Sequence, residues 1–405
     1  MRILFCAPAA HIGGGVEVWM ESLTRQLESR GVEVVTALAR GKFHDPVRYA
    51  AHHRVSNPIP VDGESGFREV RIANLLRVFR SVNADVILPA NLSDAILAAA
   101  YAKTRGDRAR LVVCLHGQSD YQLNFVNSVA PFIDLATSVS KRMAMALRAV
   151  MTDDRRVRHL PTGVPPPLNS VRPRPALRHI AYVGRLDNRE KRVLDAVPLI
   201  RSLRGVGVTF HFAGAGADES ELRDRLRGEE VVFHGSLTRN ELYRDLYPRV
   251  DGLVIFSEAE AGPIVAWEAM THGVVPIVSD YVGRKEENVI RNGETGVVFT
   301  VGDIAAAAYA IRRLTGPGAL VTLSRRASEE LPAAYTDRHF EESWHGALSD
   351  CMVMPARCGR ASALPPLVSA GRLARLGLGV TAMARLRRLV GTTYSHADPG
   401  SEWPH

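Results

Sequence analysis

Around residue 265 the chain reads strand, helix, strand, and that order limits what it can fold into more than any other feature. Residues 253–256 and 274–278 are apolar runs of strand length. Between them Pro263 stands where a first helical residue belongs and Gly273 just past the last one, which frames a helix of about ten residues. Similar apolar runs recur at 3–7, 32–38, 86–89, 111–115, 134–139, 179–183, 208–213 and 231–233, with helical spacing in between. Such alternation predicts an α/β architecture of parallel sheets. At 405 residues the chain exceeds one ordinary core. The Pro-rich stretch 160–167, followed by RPRP, reads as a stiff linker. The expected division is 1–170, 171–350 and a tail 351–405, with the polar stretch 41–68 as a long loop over the first domain.

The same central stretch supplies chemistry. A strand, a Gly/Pro loop and a helix start bring unpaired backbone N–H groups and the positive end of the helix dipole to one point, which suits an anion. Glu260 lies in that loop and Glu268 inside the helix. At about 1.5 Å rise per residue, Glu268 sits roughly 7–8 Å along the axis from Pro263, too far to share a proton with a loop carboxylate. The pair is spaced to hold two ends of a ligand with a charged middle, and carboxylates accept hydrogen bonds from sugar hydroxyls. A Glu pair in isolation is more often solvated surface charge; the groups that follow reverse that balance.

Residues 179–183 deliver Gly184, Arg185 and, a turn later, Lys191 to a strand's carboxyl end. Arg185 offers a fork and Lys191 a point charge to phosphate oxygens. Residues 111–115 run into His116-Gly117, again at a strand end, where ligands of open α/β sheets gather. Near the start, Gly13, Gly14 and Gly15 precede a helical pattern and let backbone amides approach a ligand. They lack the G-x-G-x-x-G spacing, and no acidic residue follows the second strand, which disfavours a nicotinamide oxidoreductase. Gly214-Ala215-Gly216 reads as a strand-to-helix turn.

The net charge of +8 is unevenly spread: +6 over 1–170, −3 over 171–350 and +5 over 351–405. Such asymmetry points to an anionic surface or substrate. Aromatic content is low and no basic run is interleaved with rings, so the expected surface is membrane lipid and not nucleic acid. Arg68, Arg71, Arg77 and Arg80 flank a helical segment at 70–82, as a solvated face or as a contact for acceptor or headgroup. In the tail, Leu373, Leu376, Val380 and Met383 share a helical stripe flanked by Arg372, Arg375, Arg385 and Arg388. That segment fits a membrane interface, a helix packed on the first domain, or a disordered end. Cys6, Cys114, Cys351 and Cys358 have no metal-site spacing and fit a reduced, cytosolic setting. No run is long enough to span a bilayer, and the opening MRILFCAPAA is too short for a signal peptide.

Taken together, GGGVE, His116-Gly117, GRLDNREK and above all EAEAGPIVAWEAM, with seven residues between its glutamates, resemble family 4 retaining glycosyltransferases of the GT-B fold. The resemblance runs from Met1 to about residue 350. It implies two Rossmann-like, doubly wound parallel-sheet domains facing a cleft, an acceptor-side first domain and a second that binds a nucleotide diphosphate sugar. Carried over, Arg185 and Lys191 hold the diphosphate, beside Gly184. Glu268 takes the ribose hydroxyls, while Glu260 with the backbone of Gly262, Pro263 and Ile264 faces donor sugar and phosphate. Gly14 and Gly15 lie against the phosphate, and His116 contacts the sugar near the reacting carbon. No Asp-x-Asp pair occurs, so the transfer is expected to be metal-independent, with no cofactor beyond the co-substrate. Expected acceptors are saccharides or lipid-linked saccharides, in surface polysaccharide or glycolipid synthesis. The expected location is the cytoplasm, peripheral on the inner face of the membrane. Ala261, Pro263 and Thr162 depart from the commonest family pattern and leave donor identity open. A sugar-nucleotide epimerase of the same architecture, or a non-catalytic nucleotide-sugar-binding module, remain as alternatives.

Overall fold

The structure, a computed structural model, describes residues 1–9, 14–42, 44–53, 55–63 and 66–391. Of the glycine-rich stretch, Gly13 lies outside the described residues, as does the tail beyond 391. The chain divides into two units. The first comprises Met1–Val139, Met143–Leu160 and the chain from Glu341 onward; the second comprises Ser140–Arg142 and Pro161–Phe340. Residues 161–164, read as linker, pack within the second unit: Val164 N–H donates to Tyr335 O (2.9 Å) and Val164 O accepts from Asp337 N–H (3.0 Å).

The first unit holds a seven-stranded sheet, β1 (Arg2–Pro8), β2 (Glu33–Arg40), β3 (Ile59–Asp62), β4 (Val86–Pro89), β5 (Arg110–Leu115), β6 (Leu135–Ser138) and β7 (Val157–His159), in the order 3-2-1-4-5-6-7. Every pairing is parallel. The second unit holds six strands, β8 (His179–Val183), β9 (Thr209–Ala213), β10 (Val231–Gly235), β11 (Gly252–Ile255), β12 (Val275–Ser279) and β13 (Val297–Phe299), ordered 10-9-8-11-12-13 and also parallel. The strands are nearly continuous apolar runs because helices cover both faces; Ile3 to Cys6 and β11 are buried throughout. Both units are thus doubly wound sheets.

Residues 41–68 do not form the single loop expected from their polarity. They contain a helix, Pro46–His53, and edge strand β3, which pairs with β2 from Ala37–Ile59 to Arg40–Asp62. Four residues with two prolines nearby give too weak a pattern to read, and the ladder with β2 supplies what the sequence lacks.

The tail also resolves. Residues 380–390 form a helix packed against the helix Arg68–Val82, with Val380, Met383 and Ala384 buried. Arg387 donates to Glu69 (2.9 Å) and lies over the Phe67 ring, 4.0 Å from its centroid. Of the stripe seen in the sequence, Val380 and Met383 therefore face protein, whereas Leu376 is exposed. Arg71 is not on a solvated face either: it is buried in an ion pair with Asp94.

A buried carboxylate, Asp134, gathers the first unit. It accepts from Lys103 Nζ (2.6 Å) and from the amides of Leu111 (2.8 Å) and Arg357 (2.6 Å), with Arg110 at 3.5 Å. It thereby ties β5, the start of β6 and the returning tail together. Removing one member of a buried charge cluster leaves the others uncompensated. The Asp134→Ala variant is expected to lose on the order of 3–5 kcal/mol of unfolding free energy by urea titration; an unchanged midpoint would show that the cluster is not structural.

Candidate functional site

In the second unit the strand order reverses between β8 and β11. The chain leaving β8 turns toward β9 and the chain leaving β11 turns toward β12, so the two following loops part at the sheet's carboxyl edge. That divergence is where ligands of doubly wound sheets sit. Both loops carry the residues singled out from sequence.

After β8, Gly184 takes φ +146 and Arg185 follows. Arg185 pairs with Glu190 and lies 3.7 Å from Asp187. Asp187 caps the short helix Asn188–Lys191 by accepting from the Arg189 and Glu190 amides. The turn is braced by the loop after β9: Leu186 N–H donates to Ala215 O (3.0 Å) and Gly184 N–H to Ala213 O (3.0 Å). A side chain at Gly214 would put its Cβ 1.9 Å from Gly184 O, so this glycine is needed for backbone contact. What reads in sequence as a plain turn is the support of the cationic loop.

After β11, the loop 256–263 lies against the segment following β12, with Glu260 N–H donating to Val282 O (3.3 Å) and Val282 N–H to Glu258 O (2.8 Å). Gly262 has φ +102, which turns the chain into the helix Ile264–Thr271. Pro263 is the cap and not, as the sequence suggests, the first helical residue. Its own side chain cannot cap, so the first-turn amides at Ile264 and Val265 lie at an uncapped helix start. In the loop before this helix, Glu260 Oε1 accepts from Lys191 Nζ (2.7 Å) and from the Ser257 hydroxyl (2.6 Å). The Lys191 and Glu260 side chains are 27% and 12% exposed, so the pair is reachable from solvent without being dissolved in it.

Glu268 departs from its expected setting. It is only 3% exposed, and both its oxygens already have protein donors, Arg239 Nε at 2.7 Å and Tyr247 OH at 2.9 Å. A buried carboxylate must be compensated in this way. Burial, and then the adjacent Glu268 charge, push the Tyr247 phenol well above its ordinary pKa, so it stays a donor. Arg239 and Tyr247 were missed in the sequence. The segment starting at Arg239 has a π turn over Leu242–Leu246 and a 3₁₀ turn at Tyr247–Arg249. Only an eight-residue spacing hinted that the two share a face. A carboxylate has about four acceptor positions, so Glu268 retains capacity for a ligand hydroxyl beside its protein donors.

The first unit carries the other candidates. Gly14 caps the helix Gly15–Ser29 at the end of the chain leaving β1. His116 directly follows β5, its ring edge-on to Trp19 at 4.4 Å between centroids, and Trp19 in turn contacts Trp344 (5.5 Å). Trp19 gave no signal in sequence beyond an apolar helical position. Among the described residues the buried His116 Nε2 has no hydrogen-bond partner, and burial pushes the imidazole down to about 3. At neutral pH it is an uncharged ring. Among the described residues no group of three His, Cys, Asp or Glu is arranged to hold a metal ion, and no helix is long and apolar enough to cross a membrane.

Two family models match the chain. Residues 13–167 match the model described as Glycosyltransferase Family 4, and residues 178–316 match Glycosyl transferases group 1. Between them they take in well over half of the chain. No curated protein matches. Among solved structures the chain is similar to the lipopolysaccharide outer core galactosyltransferase WaaB in its apo form, at 19% identity and TM-score 0.65, covering 86% of this chain and 99% of that one. Anabaena HepE, solved with UDP and glucose, gives 17% identity and TM-score 0.70 over 86% and 99%. Sucrose-phosphate synthase from Thermosynechococcus elongatus gives 18% and 0.68 over 86% and 98%. At these identities the structures speak for the fold: two parallel-sheet units of the GT-B type.

The His116 shift carries a stability prediction. In the unfolded chain this ring takes up a proton as the pH falls through 6.5, whereas in the folded chain it stays neutral down to about 3. The unfolded state therefore binds more protons in that window, and the contribution is lost on acidification. A His116→Leu variant is expected to show a slope of unfolding free energy against pH lower by up to ~1.4 kcal/mol per pH unit between those limits. Identical slopes in denaturant titrations across that range would mean that His116 titrates normally.

Proposed function

The chain is a GT-B glycosyltransferase of the family 4 type, and from that premise we propose that it is a retaining, metal-independent hexosyltransferase. It takes a sugar from a nucleotide diphosphate sugar and passes it to a saccharide or lipid-linked acceptor in surface polysaccharide or glycolipid synthesis. It needs no cofactor beyond that co-substrate. It works in the cytoplasm, peripheral on the inner face of the membrane. The observation that carries the reading is the Lys191–Glu260 ion pair, which joins the loop after β8 to the loop that leads into an uncapped helix start, at the point where the strand order reverses.

That arrangement suits a leaving diphosphate. As the glycosidic bond breaks, negative charge grows on phosphate oxygens, and positioned cations with helix-tip amides stabilise it without reorganising. Lys191 and Arg185 are held ready by carboxylates, Glu260 and Glu190 respectively. An arriving diphosphate replaces those carboxylates as partner, and Glu260, once released, accepts from donor-sugar hydroxyls. Gly184, Gly262, Pro263 and Ile264 bring backbone to the phosphate; a phosphate contact for Gly14 and Gly15 is what the family resemblance implies. Glu268, fixed by Arg239 and Tyr247, offers its remaining acceptor positions to ribose hydroxyls. For His116, a neutral ring, contact with the donor sugar near the reacting carbon is what the family resemblance implies. Same-face attack, with the leaving phosphate helping to deprotonate the acceptor, is what the family resemblance implies for retention. The ligands of the HepE structure, UDP and glucose, support a nucleotide-sugar donor.

Two measurements test this. The Lys191→Ala variant is expected to lose more than tenfold in turnover, about 1.4 kcal/mol of transition-state stabilisation or more; a change within about twofold removes the lysine from the mechanism. In a thermal-shift panel of UDP-, GDP- and ADP-sugars, at least one donor class is expected to raise Tm. A ligand at about 100 times its Kd stabilises by about 2.7 kcal/mol. A flat response to every nucleotide sugar would end the donor-site reading.

A further inference from the structure

Docking of the tail helix on the first unit concentrates positive charge. The helix 380–390 lies along the helix Arg68–Val82 and sets Arg385 and Arg388 beside Arg77 and Arg80. Asn74 is the hinge of this cluster. Its side chain is buried, its Nδ2 donates to Asp62 O (2.6 Å), and its single Oδ1 accepts from both Arg77 Nη1 (3.1 Å) and Arg388 Nη2 (2.6 Å). Two guanidiniums thus converge on one neutral oxygen. Arg80 turns back on its own helix, to Leu76 O. None of the four arginines is ion-paired among the described residues, although Arg387 one position away is neutralised by Glu69. Burial and then the charges of Arg388, Arg80 and Arg385 lower the Arg77 pKa, the expected sign for cations crowded together. Beside them, Leu389 is 85% and Val390 55% exposed.

We propose that this face, Arg77, Arg80, Arg385 and Arg388 with Leu389 and Val390, docks on an anionic phospholipid bilayer. Charge complementarity names the occupant: cations gathered without carboxylate partners attract a surface of phosphate groups, and aliphatic side chains at their margin enter the headgroup boundary. Nucleic acid fits less well, because a strand is held by rings stacked against bases. The exposed large aromatics among the described residues, Tyr121 and Tyr309, stand on other helices. Because Val380 and Met383 seal the first-unit core, truncating the tail would confound lipid binding with unfolding, and surface substitutions are the proper probe. The proposal rests on the charge arrangement and not on the donor site, so its test reads binding and not turnover.

The experiment is co-sedimentation of the full chain with vesicles. Vesicles of phosphatidylglycerol in phosphatidylcholine are expected to bind it at low salt and release it in ~0.5 M salt, and pure phosphatidylcholine vesicles to leave it in solution. The variant R77Q/R80Q/R385Q keeps the Arg387–Glu69 docking contact and is expected to bind at least tenfold more weakly. L389S/V390S, at two exposed positions, is expected to bind severalfold more weakly with its urea midpoint unchanged. Equal binding to neutral vesicles, wild-type binding by both variants, or complete displacement from anionic vesicles by ~10 mM inorganic phosphate or by single-stranded RNA would each overturn the proposal.

Discussion

Parallel strands with right-handed crossovers can be wound to either side of a starting strand, and the place where the winding reverses leaves two loops that part. Everything at the second unit's site depends on that reversal. β8 has β9 on one side and β11 on the other, so a cationic turn and an acidic, Pro-opened helix start arrive at one edge from segments about seventy residues apart. The meeting is an ion pair, Lys191 with Glu260 at 2.7 Å. The Ser257 hydroxyl donates to the same Glu260 oxygen, and the loop runs on into a helix start without a side-chain cap; in the function proposed above, a diphosphate divides this pair.

The two glutamates of the spaced motif turn out to be unlike in physical terms. Glu260 is part-exposed and bonded to a lysine and a serine that a ligand can replace. Glu268 is shut in by Arg239 and Tyr247, with the carbonyl of its own residue further engaged by His272 Nδ1 at 2.7 Å. One carboxylate is poised for exchange, and the other is fixed in place with acceptor capacity left over. The first unit shows the corresponding contrast in its histidine. His116 is buried beside Trp19, and that burial keeps it an uncharged ring at neutral pH.

The tail illustrates how a single amphipathic pattern can be split between two roles. Val380 and Met383 complete the first unit's core, Arg387 locks to Glu69, and Arg385 and Arg388 are left on the outside beside Arg77 and Arg80. A stripe of apolar residues says only that something is covered. Which residues meet protein and which meet solvent is set by the rotation at which the helix docks.

Much of this could be read from residues in order. Strand-length apolar runs, Pro263 and Gly273 around a helix, and Arg185, Lys191, Glu260 and His116 at strand ends all rest on local periodicity and on the backbone limits of proline and glycine, which act within a few residues. Beyond that reach the sequence was silent. Strand β3 exists through its ladder with β2, the Gly214 loop is shaped by the backbone of Gly184, and Glu268 is defined by partners twenty to thirty positions away. The sequence alone determined the class of fold and the kinds of charged groups present. The tertiary structure decided which of those groups are buried, paired or left facing solvent, because burial and pairing are properties of neighbours that only the folded chain brings into contact.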